Sequence, residues 1–90
     1  MKPKKLKKIK IRERKLGRHQ AHGMVHDYDK ANPLIEIDPK IGMGFDRLVI
    51  VVHESLHCAF PTMDEQKIIY TSKLIASVIW ADKFRHVDSL

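Results

Sequence analysis

The stretch DRLVIVVHESLHCAF, residues 46–60, decides how the rest of the chain is interpreted. Residues 48–52 are mostly β-branched, and by propensity alone they would form a buried strand. Asp46, however, is a good helix N-cap, and Pro61 provides a natural helix stop. The pattern at residues 53–57 is also chemically useful only on a helix. We therefore predict a helix over residues 46–60.

Within this helix, HESLH places His53 and His57 four residues apart. On a helix these positions share one face, one turn apart, so two imidazoles can reach one metal ion at about 2.0–2.1 Å. Glu54 can reach a water on that ion and serve as the general base. Zinc lowers the pKa of such a water toward about 7. The spacing therefore predicts one Zn²⁺ per chain, with Glu54 as the catalytic residue.

A catalytic zinc usually takes three protein ligands and leaves one position for water. Glu65 is favoured as the third ligand, because a chain reversal at residues 61–63 would return it toward the metal. Asp64 is a rival, although it is better explained as the N-cap of the next helix. His86 is excluded, because twenty-one residues of continuous helix would place it about 30 Å from Glu65. The remaining alternatives are His19, His22 and His26.

Residues 24–28 are predicted to form a strand that carries His26 and Tyr28 on one face. Either side chain could line the cleft and donate a hydrogen bond to the oxyanion of a tetrahedral intermediate, so both are candidate transition-state stabilisers. His22 and His26 also have i, i+4 spacing. Gly23 stands where a general base would be needed, and the segment is not helical, so a second metal site is not predicted there.

The remaining elements predict an α+β fold. Ile9 and Ile11 alternate with basic residues, which is typical of a strand with one buried face. Turn residues at 29–33 join residues 24–28 to a third strand at 34–38, forming a hairpin. A long helix is expected from Glu65 to about Arg85, where no Gly or Pro occurs. We expect a small antiparallel sheet of about three strands, packed against the HExxH helix and this C-terminal helix.

The charge is concentrated at the N-terminus. Residues 1–18 contain ten Lys or Arg and one acid, whereas the other residues contain seven bases and ten acids, which gives the net charge of +6. We predict a flexible basic arm at residues 1–8 and a single domain at residues 9–90. Residues 1–18 can neutralise phosphates, so nucleic acid is a possible partner; a solvated tail is the simpler interpretation. The alternative function is a non-catalytic, zinc-stabilised nucleic-acid-binding protein.

Cysteine content and hydropathy predict the compartment. A single cysteine, Cys58, excludes an internal disulfide and fits a reducing environment. Residues 48–52 form the longest uncharged apolar run, which is far too short to span a bilayer. A cytoplasmic protein without a membrane partner is expected.

The stretches HESLHCAFPTMDEQ and IASVIW resemble the zincins, in particular small metallopeptidases encoded by phages and prophages, and the minimal gluzincins. In the phage-type proteins the HExxH helix runs through a short loop with an acidic pair into a helix that bears a Trp, and residues 24–84 match this plan. The resemblance implies a zinc metallopeptidase that cleaves peptide or protein substrates in the host cytoplasm. It also implies His53, His57 and Glu65 as zinc ligands and Glu54 as the general base. Residues 1–18 are more basic than the plan, and no second subdomain forms the far wall of a cleft.

Overall fold

A computed structural model describes residues 5–17 and 22–87 of the chain. In these residues three strands are followed by two α-helices, as the α+β prediction requires. The elements are β1 (Lys10–Glu13), β2 (Gly23–His26), β3 (Leu34–Ile37), a 3₁₀ turn (Pro39–Ile41), α1 (Phe45–Ala59) and α2 (Glu65–Ala81). Neither helix in this part of the chain combines the length and apolar content that crossing a membrane requires.

The three strands form one mixed sheet in the order β1-β3-β2. The predicted hairpin is present, since β2 pairs antiparallel with β3 and places Val25 opposite Ile35. β1 pairs parallel with the other side of β3, with Ile11 also opposite Ile35. Only the β2–β3 half therefore has the expected antiparallel arrangement. The difference arises because β1 occupies the edge of β3 opposite to β2, and the chain reverses direction from β1 to β2 and again from β2 to β3, so that β1 and β3 run in the same direction.

The core lies between the sheet and the two helices. Ile35 and Ile37 of the central strand are fully buried, as their shared face predicts, and they are joined in the core by Leu56 of α1 and Ile68 of α2. α1 passes close over β2. A Cβ added at Gly23 would collide with the side chain of Ile50. A glycine at this position lets the helix approach the sheet.

The predicted buried face of β1 is not observed. Ile9 and Ile11 keep 37% and 47% of their surface exposed. α1 packs over β2 and β3, so the helix side of β1 is left at the rim of an open groove that Ile11 lines together with Leu48 and Trp80. Alternating hydrophobicity identified the strand, but the position of the helices decides how much of it is covered.

Both helices differ slightly from their predicted limits. α1 begins one residue earlier than expected, with Gly44 as its N-cap and Asp46 in its first turn. α2 follows Asp64, the expected N-cap, although the Asp64 side chain accepts no capping hydrogen bond from the backbone of the helix. It ends at Ala81, four residues before Arg85, where the backbone N–H of Asp82 bonds to the carbonyl oxygen of Val78.

Candidate metal centre

The orientation of α1 sets the position of the two motif histidines. Residues 48–52 are helical despite their β-branched composition, because tertiary packing overrides propensity. Leu56 and Cys58 are buried and fix the helix against the protein. His53 and His57 consequently lie one turn apart on a partly exposed face, with ring centroids separated by 5.1 Å. The predicted helical geometry of the HExxH motif is therefore present.

A tight reversal between α1 and α2 brings Glu65 back to these histidines. At the C-cap of α1, the backbone N–H of Phe60 donates a hydrogen bond to the carbonyl oxygen of Leu56 at 2.8 Å. The N–H of Met63 then bonds to the carbonyl oxygen of Phe60 at 2.9 Å, which turns the chain. α2 starts two residues later, so Glu65 occupies the first turn of an adjacent helix.

The carboxylate of Glu65 bridges the two imidazoles. Its Oε1 lies 3.0 Å from Nε2 of His53, and its Oε2 lies 3.2 Å from Nε2 of His57. The three residues offer ligand atoms that all lie within 4.8 Å of one another. Ligands of a tetrahedral zinc with bonds of about 2.0–2.2 Å are roughly 3.4 Å apart, so the two distances from Glu65 to the imidazoles are close to the spacing that a metal ion needs. These three residues could hold a metal ion.

Glu54 lies beside this group and is largely withdrawn from solvent. Its side chain is 10% exposed, and its Oε1 lies 3.7 Å from Nε2 of His53. Burial raises the pKa of the Glu54 carboxyl above its usual value, while the neighbouring His53 and His57 oppose that shift. A carboxylate is thus fixed next to the cluster without taking part in the bridge made by Glu65.

Of the two proposed transition-state stabilisers, only Tyr28 lies near the cluster. The ring of Tyr28 is 6.3 Å from the ring of His57, centroid to centroid. His26 instead points to the other face of the sheet, where its Nε2 lies 2.6 Å from Oε1 of Glu36. The chain leaves regular strand geometry between these residues, with a positive φ of 56° at Asp27. The predicted common face of His26 and Tyr28 is therefore wrong.

Lys7 connects the N-terminal segment to this centre, a role that the sequence does not predict. Its Nζ donates one hydrogen bond to the backbone oxygen of Tyr28 and another to the backbone oxygen of Cys58, both 2.7 Å. The second bond places a cation at the C-terminal end of α1, where the helix dipole favours positive charge. Lys7 thereby ties Tyr28 to the helix that carries His57. No sequence signal distinguishes Lys7 from its many lysine neighbours.

The structure places the other candidate ligands apart from the cluster. Asp64 precedes Glu65 but does not belong to the group of ligand atoms. His22 lies beside Val49 and Ile50, near the start of α1. His86 lies beside Trp80 at the far end of α2, as its sequence separation predicts. His19 falls outside the described residues.

Cys58 is a buried thiol and does not belong to the group of ligand atoms. Burial raises the pKa of this thiol, which keeps it in the neutral form.

Comparison with known proteins gives no family for this chain. No protein-family model, curated protein or solved structure matches it. The similarity to zincins is therefore limited to the HExxH region, and only the geometry of the centre supports a function.

Proposed function

We propose that this chain is a zinc-dependent metallopeptidase. The observation that carries the proposal is the juxtaposition of three ligand atoms, from His53, His57 and Glu65, with the buried carboxylate of Glu54 at their side. A simple ion-pair cluster would need neither the HExxH spacing nor a second carboxylate held apart from the first. Both features are expected of a catalytic metal site.

The donor set favours zinc. Two imidazole nitrogens and one carboxylate oxygen are a known ligand combination of catalytic zinc, and they leave a fourth position for water or substrate. When bound, the ion would act as a Lewis acid on the scissile carbonyl and would make water acidic enough to attack at neutral pH. Magnesium and calcium prefer all-oxygen sites, so they fit this donor set poorly.

The position of Glu54 beside the three residues supports a role in proton transfer. It would accept the proton of the attacking water and then return it to the leaving amine, which completes the hydrolysis. Because Glu54 is not in the ligand group, its carboxylate stays available for this task. Tyr28 would donate a hydrogen bond from its hydroxyl to the carbonyl oxygen as negative charge develops there.

The edge of the sheet offers a place for an extended peptide. Within the described residues β2 pairs with β3 only, so its other edge is open to an added strand. β2 ends at His26 and leads directly to Tyr28 beside His57. A peptide bound along β2 would therefore be directed toward the metal ligands.

Substitution of Glu54 by Gln tests the role of the general base. The amide has the same shape but cannot accept the proton, so the turnover of a peptide library should fall by about 10²–10⁴-fold. Zinc content should stay near one ion per chain, since Glu54 is not a ligand. Cleavage is measured by mass spectrometry of the peptides, and zinc by elemental analysis of the purified protein.

Ser55→Ala is the matched control, because Ser55 lies inside the motif and has no assigned role. It should retain both zinc and turnover. Undiminished cleavage by Glu54→Gln would contradict the assigned base. Absence of zinc from the unsubstituted protein after it is refolded with the metal would contradict the whole proposal.

A further inference from the structure

The N-terminal strand carries a row of basic side chains on one face. Backbone N–H groups of Lys8, Lys10 and Arg14 bond to the carbonyl oxygens of Ala31, Pro33 and Ile37, so the parallel pairing of β1 with β3 extends beyond both strands in the same register. The even-numbered residues therefore share one face of an extended strand. The sequence KKIKIRER puts four bases on this face, at Lys8, Lys10, Arg12 and Arg14. We call these four residues the basic row.

The basic row faces away from the helices. In the sheet Arg12 is opposite Glu36, whereas Ile11 is opposite Ile35, which is buried beneath the helices. Arg12 and Arg14 keep 59% and 50% of their side-chain surface exposed. The row spans about 20 Å, since a strand rises about 3.3 Å per residue.

Glu36 holds part of this row in a fixed geometry. Arg12 donates to Oε2 of Glu36 through Nε and Nη2 at 3.1 and 2.6 Å. Arg14 donates to Oε2 through Nε at 2.8 Å and to Oε1 through Nη2 at 3.0 Å. One buried carboxylate thus orients two guanidinium groups, and the basic row together with Glu36 carries four positive charges against one negative charge.

We propose that the basic row, on the outer face of the sheet, binds the phosphate backbone of double-stranded nucleic acid. The charge is complementary to a polyanion, and phosphates of one DNA strand advance about 3.4 Å along the axis, so a 20 Å row can contact several of them. Single-strand-binding surfaces add aromatic side chains on which bases stack. Among the strand residues of this face the only ring is the imidazole of His26, which is held 2.6 Å from Oε1 of Glu36. One small ring fixed in this way is not a row of stacking platforms, which favours backbone contacts to a duplex, independent of base sequence.

The salt dependence of binding to a short labelled DNA duplex tests this surface, with fluorescence anisotropy as the readout. Each phosphate contact contributes about 0.9 to the slope of log K against log salt concentration. Lys8→Gln/Lys10→Gln should therefore reduce the slope by about 2 and weaken binding to all duplex sequences alike. Both side chains are exposed, so the substitutions leave the core intact.

Lys67→Gln/Lys73→Gln is the matched control, since it removes two exposed charges from α2 and should leave the slope unchanged. An unchanged slope in Lys8→Gln/Lys10→Gln would overturn the proposal. The proposal would also be overturned if Lys2→Gln/Lys4→Gln/Lys5→Gln lost binding while Lys8→Gln/Lys10→Gln retained it. That result would assign binding to residues before the basic row. Displacement of the duplex by polyglutamate at equal charge concentration would also overturn it, because the surface would then favour acidic polypeptides.

Discussion

At the scale of single residues, substitution of Glu65 can distinguish a metal centre from a cluster of ion pairs. Its carboxylate lies within 3.2 Å of both motif imidazoles. If it is a ligand, Glu65→Ala should lower zinc affinity by more than the roughly 10–100-fold that loss of an outer-sphere partner costs. Competition with a chromophoric chelator measures this. Gln66→Ala is the control one residue away, and an unchanged affinity in Glu65→Ala would move the third ligand elsewhere.

Tyr28 tests whether the centre stabilises a transition state. Removal of its hydroxyl in Tyr28→Phe should lower kcat by on the order of 100-fold and leave KM nearly unchanged, because the hydrogen bond forms only as charge develops. Tyr70→Phe is the control, since Tyr70 is 68% exposed on α2. A change in KM alone would instead assign Tyr28 to substrate binding.

The cluster of His53, His57 and Glu65 could be predicted from the sequence because a helix converts spacing directly into geometry. His53 and His57 needed only the rule that i and i+4 share a face. Glu65 needed one more step, the short reversal at Pro61. Lys7 could not be predicted, because its bond to Cys58 joins positions 51 residues apart, and nothing in local periodicity encodes such a contact.

At the scale of the elements, strand alternation does not predict the burial of Glu36 in the sheet. Glu36 lies on the face of β3 opposite to Ile35 and Ile37, and alternation predicts a solvent-exposed side chain there. It is nevertheless buried, because Arg12 of β1 and Arg14, which directly follows β1, cover it. The parallel pairing of β1 with β3 creates this contact, and that pairing depends on tertiary structure.

The carboxylate of Glu36 should make the stability of the sheet sensitive to acid. Hydrogen bonds from Arg14, Arg12 and His26 hold its pKa far below the ordinary value of 4.5. The folded state therefore binds this proton less readily than the unfolded state. The stabilisation is fully present above about pH 4.5 and is lost as the pH falls through the folded-state pKa.

Urea unfolding of the metal-free protein at a series of acidic pH values measures this dependence. Glu36→Gln should be less stable than the unsubstituted chain at neutral pH, and the difference should shrink as the pH falls below 4.5. Glu13→Gln is the control, because Glu13 is a more exposed carboxylate of β1 that pairs with Arg47. A constant difference across the acidic range would contradict the role of the ionised carboxylate.

For the whole molecule, the order of the elements and the fold class followed from the sequence, whereas the sheet topology did not. Turn residues at 29–33 predicted the β2–β3 hairpin, because a short connection leaves adjacent strands antiparallel. The place of β1 depends on which edge of β3 is free. Its pattern specifies only that one face is apolar, and Ile9 and Ile11 remain partly exposed.

Zinc bound at the cluster should stabilise the entire fold, because the proposed ligands come from both helices. His53 and His57 lie near the end of α1 and Glu65 begins α2, so a bound ion would close the reversal between them. Zinc at about 100 times its Kd should contribute about 2.7 kcal/mol, which corresponds to a rise in Tm of roughly 10–20 °C for a domain of this size. Differential scanning fluorimetry in chelator and in zinc measures the shift. Magnesium should not reproduce it, and Glu65→Ala should reduce it. Equal Tm values in zinc and chelator would mean that the three side chains are held together by their own ion pairs, without a metal.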